Sequence, residues 1–243
     1  MELKISSIPK LNTPSLVSGL PDMGDVAGIA MNHLIKQLKA EKFAEILPFW
    51  PPSVTHTGGL IRFERRPFEF HYSSAYNVVT FSGPFQPNLP HRLYELCNLV
   101  VDVAEKIGVK RLYTLGAAYR GPYASWKVYG VVSRNELLNE LKSKGIDVLE
   151  GEGEITGFNG LMLGIAMEKN TDAICLLSEI DDPEILQPLA AAKAVEALGL
   201  FLNLSVDLKD LEEAEKKLRE EAKSRGVRRG PGAERRGEQP GIV

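Results

Sequence analysis

Cysteine is scarce in this sequence, and what there is of it is not arranged to hold a metal. The two cysteines, Cys97 and Cys175, sit in the apolar runs YELCNLVV and AICLLS. Neither belongs to a Cys-x-x-Cys or Cys-His pair, so a structural zinc site is not supported, and both read as buried free thiols. The four histidines, His33, His56, His71 and His91, are scattered without ligand spacing. They read as solvated or singly bonded side chains. An excess of positive charge is missing too: the net charge of −3 gives no global basic field to attract nucleic acid. No uninterrupted apolar run reaches the ~18 residues of a membrane-spanning helix. The opening MELKISSIPK lacks the apolar core of a secretion signal. These absences predict a cytoplasmic protein with neither nucleic acid nor membrane as partner.

What is there is an alternation of short β-like runs and helical patterns over 243 residues. Ser15–Ser18 reads as a strand running into a helix around Ile29–Ile35. Val78–Phe81 reads as a strand, and RLYELCNLVVDVAEKIG as a helix with apolar residues at helical spacing, stopped by Gly108. Arg111–Leu115 is the next strand, closed by Gly116. Such strand-helix-strand units make parallel sheets. Val128–Val132 and Ile146–Leu149 read as further strands around a helix from Arg134 to Lys142 capped by Ser133. Ala173–Leu177 is apolar enough for a central buried strand, and Pro183 opens a helix to Ala197 capped by Asp181 or Asp182. Leu60–Glu64 and Phe68–Tyr72 alternate in polarity and predict a β-hairpin attached to the sheet.

The fold expectation is therefore α/β: one three-layer sandwich with a mostly parallel mixed sheet over residues 1–206. An amphipathic helix follows at 207–225, with Leu208, Leu211, Ala214, Leu218 and Ala222 as its apolar stripe. It would dock on the domain or on a partner helix. The Gly- and Arg-rich residues 226–243 have little to bury and read as a flexible tail.

The chemistry is harder to find. GLPDMGDVAG at 19–28 has the glycine spacing of a phosphate loop, Gly19-x-x-x-x-Gly24, between a strand and a helix. The next pair should be Lys and Ser or Thr, but it is Asp25-Val26. A carboxylate at Asp25 would repel a phosphate and suits a helix cap instead. Gly24 and Gly28 would then let the helix pack closely. The second glycine loop, Gly151-x-Gly153-x-x-Thr156-Gly157, misses the dinucleotide fingerprint by one position and carries Glu152 and Glu154. Close backbone packing is the reading for Gly157, Gly160 and Gly164. Glu179, Asp181, Asp182 and Glu184 have the donor chemistry for a divalent metal, but acidic residues at a helix start also cap it, and capping is the reading taken. No serine lies in Gly-x-Ser-x-Gly. The stretch Tyr119–Lys127 is aromatic and basic, and it fits either a ligand-facing or a packed loop. Neither a catalytic set nor a cofactor is called for.

The order of the pieces resembles the proteasome assembly chaperone family, the archaeal and bacterial relatives of the second eukaryotic assembly chaperone. The resemblance is carried by GLPDMGDVAGIAMNHLI, Pro51-Pro52, the turn with Gly83 and Gln86-Pro87, KRLYTLGA, VYGVV, ITGFNGLMLGIA and CLLSEIDDPEI, from about residue 14 to about residue 200. It implies a fold similar to the nucleoside phosphorylase and hydrolase group. It also implies an ATP-independent, homo-oligomeric binding protein that helps proteasome α-subunits assemble into rings. Docking proteins of this kind often end in hydrophobic-Tyr-any residue, whereas this chain ends Gly241-Ile242-Val243. Candidate partner contacts are Leu208, Leu211, Leu218, Ile242 and Val243. The alternative is a phosphorylase-like enzyme acting on a nucleoside or another small molecule. Its cleft would draw on Gly19, Asp22, Gly24, Asp25, Gly83, Gln86, Gly116 and Glu179, all at predicted strand ends.

Overall fold

The computed structural model describes residues 1–48, 54–63 and 65–224. In chain order the strands are β1 (Glu2–Ile5), β2 (Ser15–Ser18), β3 (Glu41–Leu47), β4 (Thr55–Thr57), β5 (Leu60–Arg62), β6 (Phe68–Ser73), β7 (Val78–Ser82), β8 (Arg111–Tyr119), β9 (Val128–Val132), β10 (Asp147–Val148) and β11 (Asp172–Ile180). The helices are α1 (Val26–Gln37), α2 (Pro90–Lys106), α3 (Glu136–Ser143), α4 (Gly157–Glu168), α5 (Pro188–Leu202) and α6 (Lys209–Ser224). Nine strands form one sheet in the order β1-β3-β6-β7-β2-β8-β11-β9-β10. Its centre, β7-β2-β8-β11, is parallel, and antiparallel pairs flank it on both sides.

The two faces follow from the two-residue period of a strand. Leu16 and Leu112 point to one side, where they meet Cys97 and Val100 of α2 and Met162 of α4. Val17 and Tyr113 point to the other, against Ala30 and Leu34 of α1 and the alanine-rich face of α5. The result is the three-layer α/β sandwich with a mixed sheet expected from the sequence. Both cysteines are buried and free, and burial pushes each thiol up to about 12.

Several boundaries differ from the sequence reading. The hairpin is β4–β5, turned by Gly58 and Gly59, both at positive φ (58° and 83°). Phe68–Ser73 pairs instead with β3 and β7 inside the sheet, because Phe68 and Phe70 are fully buried there. β8 does not end at Gly116 but runs on to Tyr119. Ser133 is no cap: its Oγ accepts the Ala173 N–H (2.9 Å), and α3 starts three residues later. α5 begins at Pro188, not Pro183. Asp182 instead accepts the Glu184 N–H (2.9 Å) in a local turn. β1 and β3 are strands to which the sequence reading assigns no element. Of the glycines read as packing points in α4, Gly160 lies against the Ile155 carbonyl, whereas Gly164 faces open space.

The C-terminal helix docks on its own chain. α6 packs against α5, with Leu211 buried and Leu208 half-buried against the same core. His33 of α1 bonds the Asp207 carbonyl (2.7 Å), Lys36 pairs with Asp210 (3.0 Å), and the Arg219 guanidinium lies 4.9 Å from the Trp126 ring centroid. The Pro51-Pro52 pair and the tail 226–243, with Ile242 and Val243, lie outside the described residues.

If this docking belongs to the cooperative unit, Leu211→Ala should lower stability by about 2–4 kcal/mol, the usual cost of truncating a buried leucine. Leu218→Ala, half-buried, should cost less. Urea unfolding followed by circular dichroism measures both, and equal small effects would mean that α6 unfolds separately.

Candidate functional site

The parallel strands β7, β2, β8 and β11 all send their carboxyl ends to one edge, where an open α/β sheet offers a ligand crevice. The loop after β2 carries Gly19, Asp22, Gly24 and Asp25. Gly19 donates its N–H to the Phe81 carbonyl (3.2 Å). Its missing Cβ leaves room for Ala27 and Met31 of α1, each 3.0 Å from where it would stand. Asp22, not Asp25, caps α1: its Oδ1 accepts the Ala27 N–H (2.9 Å). The Ala117 N–H also reaches this carboxylate, which ties the loop to β8.

Asp25 cannot cap because its backbone is left-handed (φ 52°). Its carboxyl folds back over Gly28, where a Cβ would overlap Asp25 Oδ1. Gly28 therefore makes room for a neighbour's side chain rather than for another helix. Oδ1 of Asp25 is buried without a partner among the described residues.

A phosphate cradle needs free backbone N–H groups, and here they are occupied. The Gly24 N–H donates to the Pro183 carbonyl (2.8 Å), the Asp25 N–H to the Asp22 carbonyl (2.9 Å), and the Ala27 N–H to the Asp22 carboxylate. The Gly24 carbonyl accepts the Gln187 N–H (2.9 Å). Gly24 sits at φ 64°, and a Cβ there would overlap Gln187 Cγ. Gln187 is buried, and its Nε2 donates to Asp181 Oδ1 (2.6 Å) and to the Asp182 carbonyl (2.8 Å). The phosphate-loop outline is thus filled by the 181–187 segment.

The other predicted cleft residues form separate clusters. Gly83 lies against the Phe68 ring. Gln86 accepts the Phe158 N–H (2.9 Å) at the start of α4 and packs against Gly157. Gly116 lies under Asn159, whose Nδ2 donates to the Leu115 carbonyl (3.1 Å). Glu179 faces the 120–127 loop. It accepts the Ser125 N–H and hydroxyl (2.7 Å each), the Tyr129 hydroxyl (2.9 Å) and Arg120 Nε (3.3 Å). Burial alone would raise its pKa, but these donors outweigh it and hold Glu179 below the ordinary carboxylate value. It is a buried anchor for that loop rather than a wall of a cleft. Asn159 and Tyr129 carry no signal in the sequence, because their partners lie 44 and 50 residues off in the chain, and Gln187 carries none because its backbone N–H meets the distant Gly24 carbonyl.

Among the described residues no group of three or more carboxylate, histidine or cysteine side chains is placed to hold a metal ion. A cavity of about 350 Å³ is lined by Met1, Pro48, Phe85, Gln86 and Leu89. A second, of about 560 Å³, lies beside β9 and β10. Asp22, Asp25 and Glu179 line neither. Of the candidate partner contacts, Leu211 is turned into the core and Leu208 and Leu218 are half-buried.

Asp22 generates a pH prediction. Burial, reinforced by the Asp25 charge, pushes it from 3.8 up to about 7 against the Ala27 and Ala117 hydrogen bonds. A carboxyl whose folded pKa is raised binds its proton more tightly when folded, so it costs stability as pH rises from about 4 to about 7. Asp22→Asn keeps an oxygen for Ala27 and cannot ionise. Its stability relative to the unmodified protein should therefore rise across that window and level off above it. Urea unfolding at pH 5, 6, 7 and 8 checks this, and a pH-independent difference would show that Asp22 does not titrate there.

Comparison with known proteins bears on what this edge serves. A sequence model described as the PAC2 family matches residues 16–224. An uncharacterised protein of Methanocaldococcus jannaschii, MJ1210, is 30% identical over 216 residues, covering 88% of this chain and 83% of that one. PbaB of Pyrococcus furiosus, an archaeal proteasome activator, has a similar structure with TM-score 0.83 and 26% identity, covering 93% of this chain and 98% of its own. PbaA of the same organism, an archaeal homologue of proteasome-assembly chaperone, gives TM-score 0.78 at 24% identity over 92% and 91% of the two chains. The family match covers most of the length and agrees with the resemblance drawn from the motifs: the chain belongs to the PAC2 family.

Proposed function

We propose that this protein is a chaperone-like binding protein of the proteasome system. In its finer form, it works without ATP, holds proteasome α-subunits on their way into rings, and acts as a homo-oligomer in the cytoplasm. The observation that carries the reading is the near whole-chain likeness to the P. furiosus proteasome activator.

The site geometry supports it. In the turn that outlines a phosphate cradle, the N–H groups of Gly24, Asp25 and Ala27 are bonded within the chain. The one carboxyl raised to about 7, Asp22, is held by backbone donors rather than by a nucleophile. A phosphorylase-like enzyme would need a titratable pair beside an open pocket, and neither cavity supplies one. Exposed large apolar side chains, among them Tyr94, Tyr123, Leu186 and Leu200, suit binding without turnover. Such contacts hold a client until ring contacts, burying more surface, displace them.

Size-exclusion chromatography with light scattering tests this. The protein is run alone and with proteasome α-subunits of the same cell, with and without ATP. The expected outcome is a co-eluting complex that ATP does not alter. Failure to bind any α-subunit, or a complex that dissolves on ATP addition, would overturn the reading.

A further inference from the structure

We propose that the β4–β5 arm of one copy docks on the β10 edge of a second copy of this chain. This rests on the homo-oligomer reading above and assigns it a surface. The arm is unlike the rest of the fold. Every residue from Val54 to Phe63 is exposed, and the two strands pair only with each other. Leu60, Ile61 and Phe63 are 69%, 66% and 58% exposed. A lone two-stranded hairpin is marginal in water, and clustered exposed apolar side chains mark a contact surface. The arm is also basic. Arg62, Arg65 and Arg66 are exposed, and Glu64 is the single acid between Val54 and Phe68.

A surface of opposite character lies at the far side of the same molecule. β10 is two residues long and ends the sheet, paired only with β9. Its outer backbone edge is therefore open to another strand. The loop that follows carries Glu150, Glu152 and Glu154, all exposed, with no basic residue from Val148 to Thr156. Beside it the 560 Å³ groove offers half-buried Leu138, Val148 and Leu149 to apolar side chains.

Within its own molecule the arm stands apart from this edge. It leaves between β3 and β6, which stand second and third in the sheet, whereas β10 stands ninth, six strand spacings or roughly 30 Å from β6. Among the described residues β4 and β5 pair with each other and β10 with β9. The complement proposed for the arm is therefore the β10 edge of another copy. Because arm and acceptor are different surfaces, the contact either reciprocates in a dimer or passes head to tail around a ring.

The test is a charge exchange read by sedimentation and light scattering. Arg62→Glu/Arg65→Glu/Arg66→Glu makes the arm acidic, and Glu150→Lys/Glu152→Lys/Glu154→Lys makes the acceptor basic. Each variant alone should self-associate at least tenfold more weakly than the unmodified protein. A chain carrying all six changes should recover the native mass, because its acidic arm then opposes a basic loop at every contact. Leu60→Ser/Ile61→Ser, which leaves the charges alone, should weaken association as well and decides the matter if a charge variant fails to fold by circular dichroism. Assembly of all variants at native mass would overturn the arm contact and leave the homo-oligomer reading standing. A monomeric unmodified protein would overturn both. Loss of α-subunit binding at unchanged mass would make the arm a client surface, and a chain with all six changes that stays dissociated would refute the pairing.

Discussion

The Gly24 peptide is hydrogen-bonded on both of its sides to one loop, and much of the molecule is arranged around that fact. Its N–H meets the Pro183 carbonyl and its carbonyl meets the Gln187 N–H. The turn after β2 and the turn after β11 thereby become one unit. Only a residue free to take φ near 64° without a Cβ fits between them. This junction sets the start of α1 beside the start of α5. The facing surfaces are small, with Ala27 and Ala30 on one helix and Ala190, Ala191 and Ala194 on the other all buried, so the helices approach closely. α6 then rests on α5 and is pinned to α1 through His33 and Lys36.

The parts of this that the sequence discloses are those governed by local periodicity. β2 with α1, and β7-α2-Gly108-β8, could be read because apolar spacing and a positive-φ glycine act within a few residues. β3 could not. EKFAEIL buries Phe43, Ala44, Ile46 and Leu47 without clean alternation, because it is paired on both sides and bulged between Lys42 and Ala44. Pro183 and Pro188 are equally good first residues of a helix. The choice falls to Pro188 because Pro183 and Gln187 are both committed to Gly24. Asp22 and Asp25 are likewise equivalent caps until the left-handed turn at Asp25 is known.

At the site, the sequence makes the coarse geometry legible: β7, β2, β8 and β11 are parallel and send their carboxyl ends to one edge. Gly116 lies inside β8 rather than at its end, and the division of the candidate residues into separate clusters is not legible. Glu179 belongs with Ser125 and Tyr129, more than forty residues earlier in the chain, and nothing in its own neighbourhood, SEIDDPE, signals this. The stretch from Tyr119 to Lys127 is thereby tied down at Ser125 and Trp126, while Tyr119 and Tyr123 stay exposed. Its Ser125 is bonded to Glu179, and Trp126 lies under Arg219 of α6.

The same inward bonding runs along the edge where an open α/β sheet would offer a ligand crevice. In open α/β sheets the crevice at the strand ends is where backbone donors and charged side chains meet a small ligand. Here each of those resources is turned inward. The donors of the first turn serve Asp22 and Pro183, the best-placed carboxylate holds a loop, and Gln187 occupies the glycine turn. A scaffold that spends its crevice on internal bonds gains rigidity there, and under the proposed binding function recognition would fall to its periphery. The periphery is where this chain keeps its exposed apolar side chains, its open sheet edges and its segregated charge. Fold alone would point to the crevice, but donors already committed to Asp22 and Pro183 leave less there to offer a ligand, which is why the proposal turns to the rim.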